Sequence, residues 1–421
     1  MRLIDLKYGR TAVPFEYDED RFEVLGPIAP TRALTDAEIG AKFDDPIGTE
    51  PLDNIVATGE TVLIVVPDAT REIGCGQVVN LIVRRLIANG INSFDIRIIF
   101  ATGIHRKVTE VERASILTPF IAQRIKTLDH EPRDLLRIVR LGETTGGLTV
   151  ELNRALVDHD HVILIGGASF HYFAGFTGGR KLICPGLASS RTVSATHKLA
   201  FDCEKMDRRD GVGAGLLDGN AVHESFVEAA SKAAPGFAIT TIVNDAGEIV
   251  DIFCGDWISS HRAACDQYAL ANTVELTEKR HFVVVSCGGF PHDINLIQAH
   301  KALDAASKAC VDGGRIVLLA ECSEGLGRDD FLDWFSAGDS VQLARNLCEK
   351  YQVNGQTAHS LLRKNERFDV GVVTSLPSDM IRKMRFRPVD SLSSEIEKAA
   401  RNASGYIIPN GAKLNFNFSR P

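Results

Sequence analysis

The chain has 421 residues, a net charge of −8 at pH 7, 44% apolar and 24% charged residues, and nine cysteines. This length exceeds what one hydrophobic core usually fills, so we expect a water-soluble globular protein of two domains. The acidic balance, without clustered Lys and Arg, argues against nucleic acid as a partner, and no apolar run approaches the length of a membrane-spanning helix.

The nine cysteines are scattered, odd in number and form no CxxC pair. This spacing resembles neither a disulfide framework nor a structural zinc site, so reduced thiols in a reducing compartment are expected. The first residues, MRLIDLKYGR, lack the apolar region of a signal peptide. We therefore expect a cytoplasmic protein that does not associate with membranes. The sequence leaves its oligomeric state open.

The first 50 residues are rich in turn formers and charges, and predict a packing arm with two short strands, LIDLKYG and RFEVL. Two strand–loop–helix units follow. The first has TVLIVV from Thr61 as its strand, PDATREIGCG as its loop and a helix that ends at Gly90. The second has the strand FDIRIIF and the loop ATGIHRKV, after which Thr109 and Glu112 form a capping box that opens a helix.

A third strand, HVILI at residues 161–165, leads into the glycine-dense segment at residues 166–197. Glycines beside ionisable side chains suit a loop whose backbone approaches a ligand, and a tight connection with surface charges is an equal alternative. Alternating strands and helices indicate mostly parallel sheets, which bind ligands beyond the carboxyl ends of their strands. The loops at those ends hold five ionisable residues that we expect to share one site: Asp68, Arg71, His105, His171 and Lys181.

The rest of the chain completes the first domain and then predicts a second α/β domain. FAITTIV and EIVDIFCGD flank NDAG and predict a hairpin, whereas GVGAG at residues 211–215 follows no strand and is not interpreted as a dinucleotide fingerprint. Further on are the strands FVVVS, RIVLLA and DVGVVTS and helices near residues 296–309, 340–352 and 391–402. We predict an N-terminal domain at residues 1–268 and a C-terminal α/β domain at residues 269–421. The last residues either close the second sheet or return to the first domain.

Within the second domain, Gln298 and Lys301 lie three residues apart on a predicted helix. This spacing places both side chains on one helix face, where an amide and an ammonium could together bind a carboxylate. A solvated helix face is an equal alternative for this pair alone.

Six motifs stand in one order between about residues 60 and 305: PDATR (67–71), TGIHR (102–106), FHYFAGFTGGRK (170–181), His197, GNAVHE (219–224) and GGFPHDINLIQAHKAL (288–303). Together they resemble the lactate racemase family of the LarA type. In that family a nickel-pincer nucleotide performs a hidden redox reaction on a 2-hydroxy acid. The resemblance implies an isomerase, a racemase or epimerase, and the spread of the motifs over both domains predicts an active site in the cleft between them.

The resemblance also implies which residues bind the cofactor. Lys181 corresponds to the lysine that tethers the pyridinium-3-thioamide-5-thiocarboxylic acid mononucleotide, and His197 corresponds to the protein ligand of its Ni(II). Asp68 and Thr70, in the loop of the first motif, are further candidates for cofactor binding. A pincer with three donors needs only one imidazole from the protein, and the sequence indeed has no HExxH and no clustered ligand triad.

By the same resemblance, His105 and His171 are the acid and base on opposite faces of the substrate. Arg71, Gln298 and Lys301 correspond to residues that bind its carboxylate or polarise its oxygens. The C2 hydrogen of a 2-hydroxy acid is barely acidic because the neighbouring carboxylate is already negative. It leaves more easily as a hydride while a base removes the hydroxyl proton, and histidine titrates near neutrality. A planar 2-oxo acid can take the hydride back on either face, so two bases are needed.

The sequence is compatible with several alternatives. The chain has Ile297 where lactate-specific members have an aromatic residue, so malate-like, aromatic and sugar acids stand beside lactate as substrates. A lysine in a glycine-rich loop also suits another Lys-linked cofactor, such as pyridoxal phosphate. A homologue that binds the cofactor or a hydroxy acid without catalysis is the third hypothesis. Enzymes that synthesise the cofactor are the expected partners for loading.

Overall fold

The computed structural model describes residues 1–26, 32–398 and 404–418. The chain divides into two compact units, which we call the middle unit (Pro30–Ala200 and Asp210–Tyr268) and the terminal unit (Met1–Ala29, Phe201–Arg209 and Ala269–Pro421). The sequence assigned Met1–Ala29 and Phe201–Arg209 to the N-terminal domain, and the structure groups them with the C-terminal part. The first segment pairs through Phe22–Val24 with Gly405–Ile408, and the second is bonded to the C-terminal part through the Cys203–Cys348 disulfide. Such long-range contacts leave no periodic pattern in the local sequence.

Twenty-two strands are formed by the described residues: β1 Arg2–Tyr8, β2 Thr11–Tyr17, β3 Phe22–Val24, β4 Val62–Pro67, β5 Ile96–Ala101, β6 Lys126–Asp129, β7 Ile138–Glu143, β8 Thr149–Asn153, β9 His161–Gly167, β10 Phe170–His171, β11 Gly175–Phe176, β12 Phe201–Asp202, β13 Asp207–Arg208, β14 Phe237–Val243, β15 Ile249–Gly255, β16 Thr273–Leu276, β17 Arg280–Ser286, β18 Cys310–Leu319, β19 Asp369–Val373, β20 Arg387–Pro388, β21 Gly405–Ile408 and β22 Asn415–Phe418.

The same residues form twelve α-helices: α1 Asp36–Asp44, α2 Leu52–Ile55, α3 Cys75–Ala88, α4 Glu110–Arg124, α5 Ser190–Lys198, α6 Ala221–Ser231, α7 Ser259–Asn272, α8 Leu296–Ala309, α9 Ser340–Glu349, α10 Gly355–Arg367, α11 Ser378–Lys383 and α12 Leu392–Lys398. Short 3₁₀ helices cover Arg154–Leu156, Gly179–Leu182 and Asp329–Ser336. Part of the helix predicted near residues 391–402 lies outside the described residues.

The middle unit is built on a six-stranded sheet in the order β15-β14-β9-β4-β5-β6. All neighbours are parallel except β14 and β15, which form the predicted antiparallel hairpin. The central strand β4, VLIVVP, is buried at all six positions, as expected for a parallel strand covered on both faces. Its continuous apolar pattern is why the sequence predicted it.

The terminal unit contains a second six-stranded sheet, in the order β20-β19-β18-β17-β21-β3, and all of its strands are parallel. Strand β21 pairs with β17 and therefore closes the second sheet, which was one of the two predicted placements. The short strand β3, from the beginning of the chain, pairs with β21 at the edge. Two α/β units with mostly parallel sheets confirm the predicted fold class.

Local signals in the sequence located several elements correctly. The Thr109 hydroxyl accepts from the Glu112 backbone N–H, and the Glu112 carboxylate accepts from the Thr109 backbone N–H, so the predicted capping box opens α4. Gly90 follows α3 with φ +90°, where glycine is favoured. The helix α10 was not predicted, because it begins at Gly355 without a side-chain cap and its apolar face is short.

The expectation of nine reduced thiols is wrong at two positions. Cys203 and Cys348, both in the terminal unit, form a disulfide although they lie 145 residues apart. The other seven cysteines are buried free thiols, as their small apolar side chains favour. Among the described residues, no helix is both long and apolar enough to span a bilayer.

Candidate active site

Three neighbouring strands of the middle sheet deliver the loops that carry most of the predicted site residues. Strands β9, β4 and β5 are adjacent and parallel, so the loops that follow them leave the sheet at one edge. Asp68 to Arg71 follow β4, His105 follows β5, and the segment from His171 to Lys181 follows β9. The sheet order thus accounts for why residues far apart in sequence share this edge.

Asp68 and His105 form the best-defined contact at this edge. The Asp68 carboxylate, 6% exposed, lies with Oδ2 2.7 Å from His105 Nδ1, and its Oδ1 accepts from the Thr70 backbone N–H and hydroxyl. Burial raises the pKa of the Asp68 carboxyl, but His105, Arg71 and Thr70 more than offset it and hold the pKa well below its ordinary value. An ionised Asp68 fixes the hydrogen on Nδ1 of His105 and leaves the lone pair on Nε2.

Arg71 lies in the same loop and is partly buried. Its guanidinium donates to the Thr70 carbonyl at 3.0 Å and to the Thr70 hydroxyl at 3.2 Å. Burial lowers the Arg71 pKa and the Asp68 carboxylate opposes that shift, so Arg71 stays a cation at neutral pH. The loop therefore presents one fixed positive charge beside the Asp68–His105 pair.

His171 is held at the start of the glycine-rich segment by the β10–β11 hairpin, in which it pairs with Gly175. Its Nδ1 accepts from the backbone N–H of Ala174 at 3.3 Å and, more weakly, from that of Phe173 at 3.5 Å. With Nδ1 as an acceptor, the hydrogen of the neutral ring lies on Nε2. His105 and His171 thus present opposite states at Nε2, a lone pair on the first and an N–H on the second.

Two phenylalanine rings link the remaining predicted residues. The Phe173 ring centroid lies 4.5 Å from that of His171 and 5.1 Å from that of His197. The ammonium nitrogen of Lys181 lies 5.4 Å from the Phe173 centroid and 5.7 Å from that of Phe226, which also contacts His197. Neither ring was predicted to have a role, because an aromatic residue in a motif or on a helix is usually part of the core.

His197, on α5, is buried and electrically neutral. Burial lowers its pKa to about 3, Lys181 and His105 act in the same direction, and the hydrogen bond to the Val193 carbonyl opposes them. That bond, 2.8 Å from Nδ1 to the carbonyl oxygen, keeps the hydrogen on Nδ1 and leaves the Nε2 lone pair available. This is the state that a metal-ligating histidine requires.

Arg180 is a buried residue of the glycine-rich segment and was not predicted to have a role. Its guanidinium donates to the Ala174 carbonyl at 2.6 Å and to the Gly178 carbonyl at 3.4 Å, and lies 3.1 Å from His261 Nε2. Burial lowers its pKa to about 10. By joining two carbonyls of the glycine-rich turn, Arg180 fixes the backbone that ends at Lys181.

The two predicted carboxylate ligands on α8 belong to the terminal unit. The Asn295 side chain caps the helix by accepting from the Gln298 backbone N–H at 3.0 Å, and the Lys301 ammonium donates to Gln298 Oε1 at 2.7 Å. The predicted spacing therefore does bring the amide and the ammonium together. Their participation with the middle-unit residues in one cleft site stays a prediction.

Two family models match most of the chain. The family model described as the lactate racemase N-terminal domain matches residues 8–208, and that of the lactate racemase C-terminal domain matches residues 276–414. The chain belongs to the lactate racemase family. The predicted membership is confirmed, and with it the isomerase class.

Individual lactate racemases are similar over most of the chain. The enzyme of Thermoanaerobacterium thermosaccharolyticum is 28% identical over 82% of this chain and 80% of its own length, and that of Lactiplantibacillus plantarum is 27% identical over 98% and 99%. The solved lactate racemase apoprotein from Thermoanaerobacterium thermosaccharolyticum matches with a TM-score of 0.89 and 25% identity, covering 99% of this chain and all of that one. A Thermotoga maritima protein with a TM-score of 0.73 and 19% identity, covering 93% of this chain and all of its own, shares the fold.

Proposed function

We propose that this member of the lactate racemase family is a racemase or epimerase of a lactate-like 2-hydroxy carboxylic acid, with a nickel-pincer nucleotide tethered at Lys181. The observation that carries the proposal is the pair of histidines with complementary hydrogens, His105 backed by Asp68 and His171 in the segment that leads to Lys181. A reaction that removes a proton from one face and returns it on the other requires such a pair.

The residues present fit the nucleotide and its metal. Lys181 would provide the tether and neutral His197 the single protein ligand, with Phe173 and Phe226 beside both. Within the described residues, no group of three or more His, Cys, Asp or Glu side chains could hold a metal ion. A metal that arrives with most of its donors on an organic ligand suits this donor set better than a metal held by protein alone. When bound, the nucleotide supplies an acceptor for the C2 hydrogen and its electron pair.

The side chains of the protein then transfer the substrate hydroxyl proton and bind the substrate carboxylate. His105 takes the substrate hydroxyl proton at Nε2, and the Asp68 carboxylate stabilises the imidazolium that forms. His171 returns a proton to the oxygen from its own Nε2, and the two rings exchange roles in the reverse direction. Arg71, Gln298 and Lys301 hold the carboxylate so that only the C2 substituents move.

The substrate class rests on the family and on these groups rather than on a pocket. Lactate racemase is the name of both relatives, which supports a small 2-hydroxy acid as substrate. Ile297 precedes Gln298 and packs against the apolar core of the terminal unit. Since lactate-specific members have an aromatic residue at this position, the panel of substrates extends from lactate to malate, aromatic and sugar acids. A cytoplasmic location and loading by cofactor-synthesis enzymes stay predictions.

The first test is loading. The chain is produced together with the cofactor-synthesis enzymes, and intact mass and nickel content are measured on the purified protein. We expect a mass increment on Lys181, mapped by peptide digestion, and about one nickel per chain. Lys181→Ala should lose the increment. A wild-type chain with neither increment nor nickel would contradict the proposal, and an increment equal to a pyridoxal phosphate adduct would replace the cofactor.

The second test is turnover of the loaded protein. Chiral chromatography follows the conversion of each enantiomer across lactate, malate, aromatic and sugar-acid substrates. We expect exchange with at least one of them, and loss of exchange with retained nickel in both His105→Ala and His171→Ala. Loss of the metal in these two variants would show that the assigned roles are wrong.

A further inference from the structure

A buried charged cluster in the terminal unit lies next to the proposed carboxylate ligands and has no assigned role. Asp304, on α8, receives hydrogen bonds at the same oxygen from Arg208 at 2.9 Å and from Lys364 at 2.8 Å. Asp304 is 7% exposed and Lys364 is 8% exposed. The Arg208 side chain is 31% exposed, whereas Asp304 and Lys364 form an ion pair in the interior. Burying charged groups costs free energy, so this pair needs an explanation.

The cluster continues through neutral groups back to α8. Lys364 donates to the Ser360 hydroxyl at 2.6 Å, and Ser360 Oγ lies 3.0 Å from Nε2 of the fully buried His300. Both His300 and Asp304 are on α8, whereas Ser360 and Lys364 are on α10. Polar contacts therefore fix α8 to α10 at two points one helical turn apart, which sets both the rotation and the axial position of α8.

The same helix carries the proposed substrate ligands. Gln298, Lys301 and Asp304 follow one another at intervals of three residues, so Asp304 lies one turn beyond Lys301. Burial raises the pKa of the Asp304 carboxyl, but Arg208 and Lys364 more than offset it and keep the group ionised. Any rotation of α8 that moved Gln298 and Lys301 would break these charged contacts.

We infer that Asp304, held by Arg208 and Lys364, is a positioning residue that sets where Gln298 and Lys301 meet the substrate carboxylate. The inference rests on the proposed function and extends it from the ligands to the group behind them. Arg208 reaches α8 from β13, a segment that also contacts α10 through the ion pair of Asp207 with Arg363. That second pair is exposed, with side-chain exposures of 42% and 48%, and serves as a matched control.

The experiment compares Arg208→Gln with Arg363→Gln in the loaded enzyme. We expect Arg208→Gln to raise KM for the hydroxy acid by roughly 10- to 100-fold with kcat within about threefold, because the displaced ligands act on binding. Arg208→Lys keeps the cation and should restore most of the affinity. Arg363→Gln should leave KM within about twofold because exposed pairs contribute little. The mass increment at Lys181 should be unchanged throughout.

Three results would overturn the inference. The first is a lower melting temperature of Arg208→Gln with an unchanged KM, which is the result expected for a purely structural cluster. The second is an equal rise in KM for Arg363→Gln. The third applies if Arg208→Gln does not fold: Asp304→Glu, which keeps the charge and moves the carboxylate by one methylene, should raise KM several-fold, and a wild-type KM in that variant would refute the role.

Failure of the proposed function is distinguishable from failure of the inference. A loaded wild-type chain that exchanges no hydroxy acid contradicts the proposed function. Calorimetric titration with lactate and with malate then compares the affinity of the wild type with that of Arg208→Gln, and weaker binding by the variant supports the positioning role. Equal binding, or no binding to the wild type, overturns it.

Discussion

The carboxyl edges of the two parallel sheets share a topology but differ in what lies against them. In the middle unit, the edge carries Asp68, His105 and the segment from His171 to Lys181. In the terminal unit, the β1–β2 turn covers part of that edge, with the Gly9 N–H donating to the buried Asp293 carboxylate at 2.7 Å and the Phe290 N–H donating to the Gly9 carbonyl at 2.8 Å. Topology therefore predicts where a ligand can bind, and only the side chains decide what occupies that edge.

The largest effect expected from this comparison is that of Asp68→Asn in the middle unit. An amide in place of the carboxylate favours the other His105 tautomer and no longer stabilises the imidazolium. We expect kcat to fall by about 10³- to 10⁴-fold, with the nickel content unchanged. Chiral exchange assays on loaded protein measure this. A reduction below tenfold would mean that His105 does not depend on Asp68.

Gly175→Ala tests the backbone of the same edge. Gly175 has φ +76°, and a Cβ there would lie 2.2 Å from the Leu216 carbonyl oxygen. We expect the free energy of unfolding to fall by roughly 3 to 4 kcal/mol through backbone strain and overpacking. Gly59→Ala is the control, because Gly59 also has positive φ but nothing lies within 4 Å of its added Cβ. Urea unfolding should give that control a loss of only about 1 kcal/mol; equal losses would exclude the clash as the cause.

Acid should destabilise the middle unit more than the terminal unit. Burial is the first cause of the lowered pKa of four histidines in the middle unit (His130, His197, His223 and His261) and of two in the terminal unit (His300 and His359). Below the unfolded pKa of about 6.5 the unfolded chain binds protons that the folded chain does not. Stability is therefore lost as the pH falls from about 6.5 towards 4.

The two tryptophans of the chain allow this to be measured, since Trp257 lies in the middle unit and Trp334 in the terminal unit. Trp334→Phe leaves a reporter of the first and Trp257→Phe a reporter of the second. Between pH 6.5 and 5.5 we expect the middle unit of the chain without cofactor to lose about 2 kcal/mol more than the terminal unit, because each of its two additional histidines contributes about 1 kcal/mol over this interval. Fluorescence transitions of the two variants that coincide at every pH would contradict the expected difference in acid stability between the two units.

Of the four predictions in this comparison, Asp293→Asn should have the smallest effect. It should lower stability and leave kcat nearly unchanged, whereas Asp68→Asn should lower kcat. The Asp293 carboxylate is 1% exposed and accepts from the Gly9 and Glu321 backbone N–H groups. We expect the free energy of unfolding to fall by about 1 to 2 kcal/mol, because one charged acceptor is lost. The kcat of the loaded enzyme should stay within about twofold. A loss of kcat comparable with that of Asp68→Asn would mean that Asp293 contributes to catalysis as much as Asp68 does.

The sequence predicted those parts of the molecule that depend on neighbouring residues. The capping box of Thr109 and Glu112 and the hairpin at residues 237–255 are local, and both form as predicted. The apolar pattern of β4, β5 and β9 was sufficient to predict the three strands whose loops hold Asp68, His105 and the segment from His171 to Lys181. The short strand predicted in RFEVL corresponds to β3, but its position beside β21 was not predicted. That position depends on a partner nearly 400 residues away in the chain.

The parts of the candidate site that the sequence did not predict depend on tertiary contacts. The motif contains Phe173 and Arg180, but only the folded segment brings the Phe173 ring against His171 and His197, and Arg180 onto the Ala174 carbonyl. The tautomer of His105 follows from a 2.7 Å contact across 37 residues. The residue types were sufficient to predict an acid–base pair of histidines. The hydrogen-bond partners, which only the folded chain shows, decide which ring nitrogen of each histidine carries the hydrogen.

The covalent bond between Cys203 and Cys348 has a practical consequence for anyone who handles this protein. Closing a loop of this length removes conformational freedom from the unfolded chain and contributes about 5 kcal/mol in the chain-entropy account. A reductant in the purification buffer removes that contribution and frees an exposed thiol at position 203. Melting temperatures obtained with and without dithiothreitol describe two different covalent molecules, and variants are comparable only within one of them.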